Sequence, residues 1–201
     1  MNAQPIQSIE QQVTEILRNS LIDGVYESGT KMNETLLSDD FGLSRNVIRR
    51  ALLILYKEGL LHYVEGQGYF VISRLNKNID KILFNIRSSI EKYAVKIFKN
   101  IAAEQDFIAL ENILSRMNTH YQKREHLEFI KADIEFHEYF VRLAGGDDLF
   151  NLWYPVVIRM HMNKGISATL KTDVEEHASI LHALKNYDAE NAITVILNNI
   201  T

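Results

Sequence analysis

Two groups of side chains in this chain have the types and spacing to do chemistry. The first lies between residues 44 and 50, where Ser44, Arg45, Asn46, Arg49 and Arg50 occur in one short run. Arg45 and Arg49 stand one helical turn apart, so on a helix they share a face. A guanidinium fork matches the O6 and N7 acceptors of guanine in the major groove. The start of such a helix also presents backbone N–H groups that favour a phosphate.

The second group is spread over three predicted helices. Ile130, Ile134, Val141 and Ala144 form an apolar stripe, and Asp133 and His137 lie within or beside it. A carboxylate facing a core is costly unless it meets a cation or a metal. Asp and His one turn apart can share an ion. His177 falls on the inward line of Val174, Leu181 and Leu184, and Asn199 continues the line of Ala192 and Ile196. Each of the four, taken singly, also fits a hydrogen-bonded core residue. Together they point either to a buried polar network or to a divalent metal site. Arg87 lies near the inward line of Leu83, Ile90 and Ala94. It is a candidate to receive an effector carboxylate with both arms of its fork, with an ion pair to Glu91 as the alternative. His120, His126, His161 and His182 read as surface or packing residues.

The elements that must position these groups follow from periodicity. Residues 6–22 predict a helix with Ile9, Val13, Ile16 and Leu17 inward. Asn33 is a candidate N-cap for a short helix through Asp40, with Leu36 and Leu37 inward. Gly42 ends it. Ser44 then caps a third helix running to Glu58, whose inward stripe is Val47, Ile48, Ala51, Leu52 and Leu55. Two short strands, Leu61–Val64 and Tyr69–Ile72, flank a Glu65-Gly66-Gln67-Gly68 hairpin tip. Gly66 lets the backbone of that tip approach a ligand closely. Three helices and a two-stranded hairpin make a winged helix-turn-helix. From Ile79 onward the chain predicts only helices, roughly 79–102, 104–122, 125–144, 147–164, 172–186 and 188–200. Breaks are expected at Gly145-Gly146 and Gly165, and Pro155 should start, kink or split the fourth of these helices. The predicted fold is mainly α: a winged helix-turn-helix over residues 1–75, then an all-α antiparallel bundle over residues 76–201.

Composition sets outer limits. The chain has 201 residues, 46% hydrophobic and 24% charged, which is ordinary globular usage. It contains no cysteine, which excludes disulfides and thiolate metal sites. Residues 1–20 hold no apolar run of signal-peptide length, and no stretch is apolar for long enough to span a bilayer. A cytoplasmic protein without a membrane partner is expected. The net charge of −4 argues against a general affinity for nucleic acid, so a local basic face must supply any DNA contact.

The stretch from Val13 to Arg74 resembles the DNA-binding domain of GntR-type bacterial transcriptional regulators. The resemblance rests on Ile22-Asp23-Gly24, Ser28-Gly29, Phe41-Gly42-Leu43-Ser44-Arg45, Val47-Ile48-Arg49, Ala51-Leu52, Glu58-Gly59-Leu60 and Gly68-Tyr69-Phe70-Val71. It implies DNA contacts from Ser44, Arg45, Asn46 and Arg49 in the recognition helix and from Gly66 in the wing. Arg50 stands where the family usually has Glu, which adds a charge near the phosphates. Ser28 replaces a frequent Pro. Further on, Asp133-Ile134-Glu135-Phe136-His137 and Glu176-His177-Ala178-Ser179-Ile180-Leu181-His182-Ala183-Leu184 are similar to the FCD domain of the FadR subfamily. That resemblance implies a helical bundle holding a divalent metal, often zinc, beside a small carboxylate effector. Asp133, His137 and His177 match three expected ligands. Asn199 stands where the fourth, a His, is expected, and an amide oxygen is a weaker zinc ligand than imidazole.

The expected function is a ligand-responsive regulator, a repressor, acting as a homodimer on a two-fold-symmetric DNA operator. Two alternatives stand beside it: a DNA-binding protein whose helical domain only dimerises, and a metal-dependent hydrolase. No residue is marked out as a general base for the latter.

Overall fold

The computed structural model describes residues 7–164 and 170–200. The chain divides into two compact units, Met1–Arg74 and Leu75–Thr201.

In the first unit, Ser8 opens helix α1 (Ile9–Ile22) through a capping box with Gln11. Val13, Leu17, Leu21 and Ile22 are buried, whereas Ile9 and Ile16 are exposed. Ile16 and Leu17 point about 100° apart on the helix, and here the buried face includes Leu17 and leaves Ile16 outside it. Asn33 caps α2 (Glu34–Phe41) by accepting hydrogen bonds from Thr35 and Leu36. Here again only one of two adjacent leucines turns inward: Leu37 is buried and Leu36 is exposed. Gly42 ends α2 at φ +62°, a left-handed conformation that glycine adopts without strain. Helix α3 (Arg45–Lys57) buries Ile48, Ala51, Leu52 and Leu55 completely, and Val47 only partly.

Two ties fasten this unit. Arg18 of α1 is nearly buried and reaches Glu58, the C-cap of α3, at 2.9 and 2.6 Å. The antiparallel strands β1 (Leu61–Val64) and β2 (Gly68–Val71) pair from Leu61 with Val71 to Val64 with Gly68. The segment before α2 adds a short outer rung to β2. Gly29 and Met32 donate to Val71 and Tyr69, and Lys31 bridges Phe70.

The second unit contains α4 (Lys77–Ile101), α5 (Glu104–Lys123), α6 (His126–Lys164), α7 (Leu170–Lys185) and α8 (Ala189–Asn199). Helix α6 is two helices joined at Gly146, whose φ of 58° and ψ of −149° are not helical. The break expected at Gly145-Gly146 is therefore present. Pro155 neither starts nor splits the second half, because backbone angles on both sides of it stay helical. The break expected at Gly165 lies outside the described residues. Trp153, Phe98, Phe136, Phe140, Leu110 and Met117 are among the largest fully buried side chains of this bundle. No helix among the described residues is long and apolar enough to cross a membrane.

Candidate DNA-reading face and metal centre

The turn at Gly42 presents α3 with its apolar stripe inward and its polar face outward. Ser44, Arg45, Asn46, Arg49 and Arg50 are all exposed, as is Gly66 at the hairpin tip. Ser44 occupies the N-cap position with an extended backbone, but its hydroxyl makes no capping bond. Its carbonyl instead accepts from Val47 and Ile48. The helix start thus relies on backbone geometry, and the hydroxyl faces outward.

The three arginines are not equivalent. Arg45 makes no ion pair among the described residues. Arg49 grips Glu34 of α2: Nη2 donates to Oε2 at 2.8 Å, and Nε lies 3.2 Å from both Oε1 and Oε2. Arg50 Nε lies 3.0 Å from Glu10 of α1. Both arginine side chains nevertheless keep more than half their surface in solvent. Exposed pairs of this kind exchange partners at small cost.

In the helical unit, the predicted metal ligands come together. Ligand atoms of Asp133, His137 and His177 all lie within 4.8 Å of one another, and all three residues are buried. His137 Nε2 is 3.2 Å from His177 Nε2 and 3.1 Å from Asn199 Oδ1. His177 Nε2 is 3.1 Å from Asp133 Oδ1. Asn199 is half-buried at the rim.

The outer hydrogen bonds fix which atoms face inward. His137 Nδ1 is 3.0 Å from Glu91 Oε2, and Glu91 is fully buried. A carboxylate there requires Nδ1 to carry hydrogen, which leaves the Nε2 lone pair pointing into the cluster. His177 Nδ1 is 2.6 Å from the Asp173 carbonyl, which imposes the same tautomer. Asn199 Nδ2 donates to Glu176 Oε2 at 2.9 Å, so Oδ1 turns inward. Two imidazole lone pairs, an amide oxygen and a carboxylate oxygen therefore converge with their donors turned outward.

Protons alone satisfy this arrangement poorly. If both rings were protonated, two N–H groups would meet head-on. If only His177 were, the His137 lone pair would face the Asn199 amide oxygen; if only His137 were, the His177 lone pair would face the Asp133 carboxylate. A divalent cation satisfies all four with neutral rings, and the residues present fit one. The electrostatics agree. Burial alone would push the Asp133 carboxyl up, but hydrogen bonds from His161 and His177 hold it well below the ordinary carboxylate value. Burial opposes charge on His177, yet Asp133 outweighs it and raises the ring's pKa. Positive charge is favoured at this point.

Arg87 is buried, and its Nε lies 2.7 Å from Glu91 Oε1. This is the ion pair weighed against effector binding. Trp153 Nε1 donates to the same oxygen at 2.8 Å. Burial would raise the Glu91 carboxyl, but Arg87 and then His137 outweigh it and lower it to about 2.

His161 does not belong with the surface or packing residues. Its Nε2 lies 3.2 Å from Asp133 Oδ2, on the side of the carboxylate away from His177. The sequence carried a signal for this, since His161 follows buried Val157 by one turn on the line of Trp153. Glu91 and Glu176 went unrecognised as orienting groups, because their partners lie in other helices. His120, His126 and His182 lie at partly or fully exposed positions outside the cluster.

Comparison with known proteins agrees with both halves of the chain. Residues 9–71 match the model of bacterial regulatory proteins of the gntR family, and residues 82–201 match the FCD domain. The HTH-type transcriptional regulator YdhC of Bacillus subtilis is 30% identical over 88% of this chain and 80% of its own length. The gluconate operon transcriptional repressor of Bacillus licheniformis is 29% identical over 82% of this chain and 68% of its own. The solved structure of Escherichia coli McbR/YncC superposes with a TM-score of 0.83 at 22% identity, covering 97% of this chain and 94% of that one. These relatives and domains are those of regulators rather than of enzymes, which removes the hydrolase alternative. The chain belongs to the gntR family of bacterial transcriptional regulators, in the FadR-type subfamily whose DNA-binding domain is followed by an FCD domain.

Proposed function

We propose that this DNA-binding regulator is a repressor whose helical domain senses a small carboxylate effector beside a bound divalent cation. The observation that carries the sensing half is the convergence of four acceptor atoms, from Asp133, His137, His177 and Asn199. A cation held there by four protein atoms keeps coordination positions open, and a carboxylate is a suitable further ligand. In this reading His161 steadies Asp133, while Arg87 and Glu91 act on His137 from behind. The enclosed pairing of Arg87 favours that role over direct contact with the effector.

In the DNA-binding domain, Ser44, Arg45, Asn46 and Arg49 enter the major groove. Arg50 contacts the backbone, and Gly66 brings the wing close to it. One such helix spans only a half-site, so the acting species is a homodimer on a two-fold-symmetric operator. The repressor role is supported by the naming of relatives such as the gluconate operon repressor. Effector control requires different effector affinities in the DNA-bound and released states.

The test is a thermal-shift series on protein stripped of metal. The reading predicts a rise in Tm on adding a divalent cation, and a further rise with some members of a panel of small organic acids only when the cation is present. A flat response to every cation and acid would leave the helical domain as a dimerisation module.

A further inference from the structure

The fourth member of the cluster is an amide whose orientation is set by a carboxylate outside it. Glu176 precedes His177 on α7, so one helix turn supplies both a ring to the centre and an acceptor behind Asn199. Reversing the Asn199 amide would place its oxygen against the Glu176 carboxylate, with no hydrogen between them. The Glu176 contact therefore commits Oδ1 to the centre, 3.1 Å from His137 Nε2.

We propose that Glu176 makes Asn199 an oxygen ligand, giving a centre of two imidazole nitrogens and two oxygens that is shifted away from zinc toward harder, six-coordinate cations such as Mn2+. The proposal rests on the cation reading given above. Imidazole suits zinc, whereas carboxylate and amide oxygens suit manganese and magnesium. Replacing an imidazole by an oxygen lowers zinc affinity more than manganese affinity. Zinc remains the tighter binder in absolute terms, as the general order of divalent affinities requires. What changes is the margin between the two. The role of Glu176 is positional: it touches the ligand, not the ion.

The test is calorimetric titration of the metal-free full-length chain with Mn2+ and, separately, Zn2+. The variants are Asn199→His, Glu176→Ala and Glu176→Gln, each checked for an unchanged circular-dichroism melt without metal. Asn199→His should widen the zinc-over-manganese preference by about tenfold or more. Glu176→Ala should weaken Mn2+ binding by roughly 10-fold to 100-fold, the usual effect of losing an orienting partner. Glu176→Gln should restore it, because the glutamine carbonyl accepts the same amide N–H. An unchanged preference in Asn199→His, or wild-type Mn2+ binding in Glu176→Ala, overturns the proposal and leaves the cation centre standing. Failure of the unaltered chain to bind either metal overturns both.

Discussion

At the scale of single residues, Glu91 shows how one buried carboxylate holds the helical domain together. It is fully buried, and it accepts from Arg87, His137 and Trp153. Removing it strands a buried guanidinium and frees the His137 ring to adopt either tautomer. Breaking a buried pair in this way costs about 3–5 kcal/mol. Glu91→Ala is therefore expected to lower the thermal midpoint of the helical domain sharply, measured by circular dichroism. The same group fixes a pH response. Its pKa falls from 4.5 to about 2 on folding, so its stabilisation is complete above about 4.5. That stabilisation is lost as pH falls from about 4.5 through 2. Acid unfolding of Glu91→Gln should show a shallower dependence in that window, and a wild-type slope would refute the assignment.

Much of this residue chemistry was legible in the sequence, and the exceptions have a common cause. Asp133, His137, His177 and Asn199 were found because each interrupts an apolar line on its own helix. Glu91 was visible only as a neighbour of Arg87 one turn away, since its partner His137 lies 46 positions further on. Glu176 is hidden for the same reason, and for His161 the inward line is legible but the meeting with Asp133 is not. A local pattern reveals which face a residue occupies, and not which distant side chain meets it.

At the scale of elements, the limit was a different one. Four of the five residues of the expected α3 stripe, Ile48, Ala51, Leu52 and Leu55, are fully buried, because Arg45, Asn46, Arg49 and Arg50 mark the opposite face as polar. In α1 and α2 the apolar residues are adjacent, so periodicity could not choose between Ile16 and Leu17 or between Leu36 and Leu37. Paired substitutions separate them. Leu37→Ala should cost about 3 kcal/mol in chemical denaturation, and Leu36→Ala should stay within about 0.5 kcal/mol of wild type. Gly42→Ala should cost about 1 kcal/mol, because φ is +62° at the turn between α2 and α3. Of the three outcomes expected of Pro155, a helix start and a split are absent, and the residue sits inside a continuous helix. Its helix is held by packing through Trp153 and Val157, both fully buried. Glu34 links α2 to the reading face by holding Arg49. Glu34→Gln should release that arginine and remove a negative charge, tightening DNA binding by about fivefold, on the order of 1 kcal/mol. A weaker complex would mean that Glu34 positions Arg49 rather than competing for it.

At the scale of the whole molecule, the chain combines a DNA-reading unit of modest charge with a helical unit built around a cluster of acceptors. A net charge of −4 leaves little general attraction to a polyanion. Specific contacts from α3 must then carry the complex, and they are the claim on which the account stands. The direct measurement is fluorescence anisotropy on a genomic fragment recovered by pulldown with the full-length protein, comparing wild type with Arg45→Ala and Arg49→Ala. The account predicts that each variant keeps its melting profile and loses about 1–3 kcal/mol of affinity for that fragment, while binding to unrelated DNA changes far less. Wild-type affinity in both variants would contradict it.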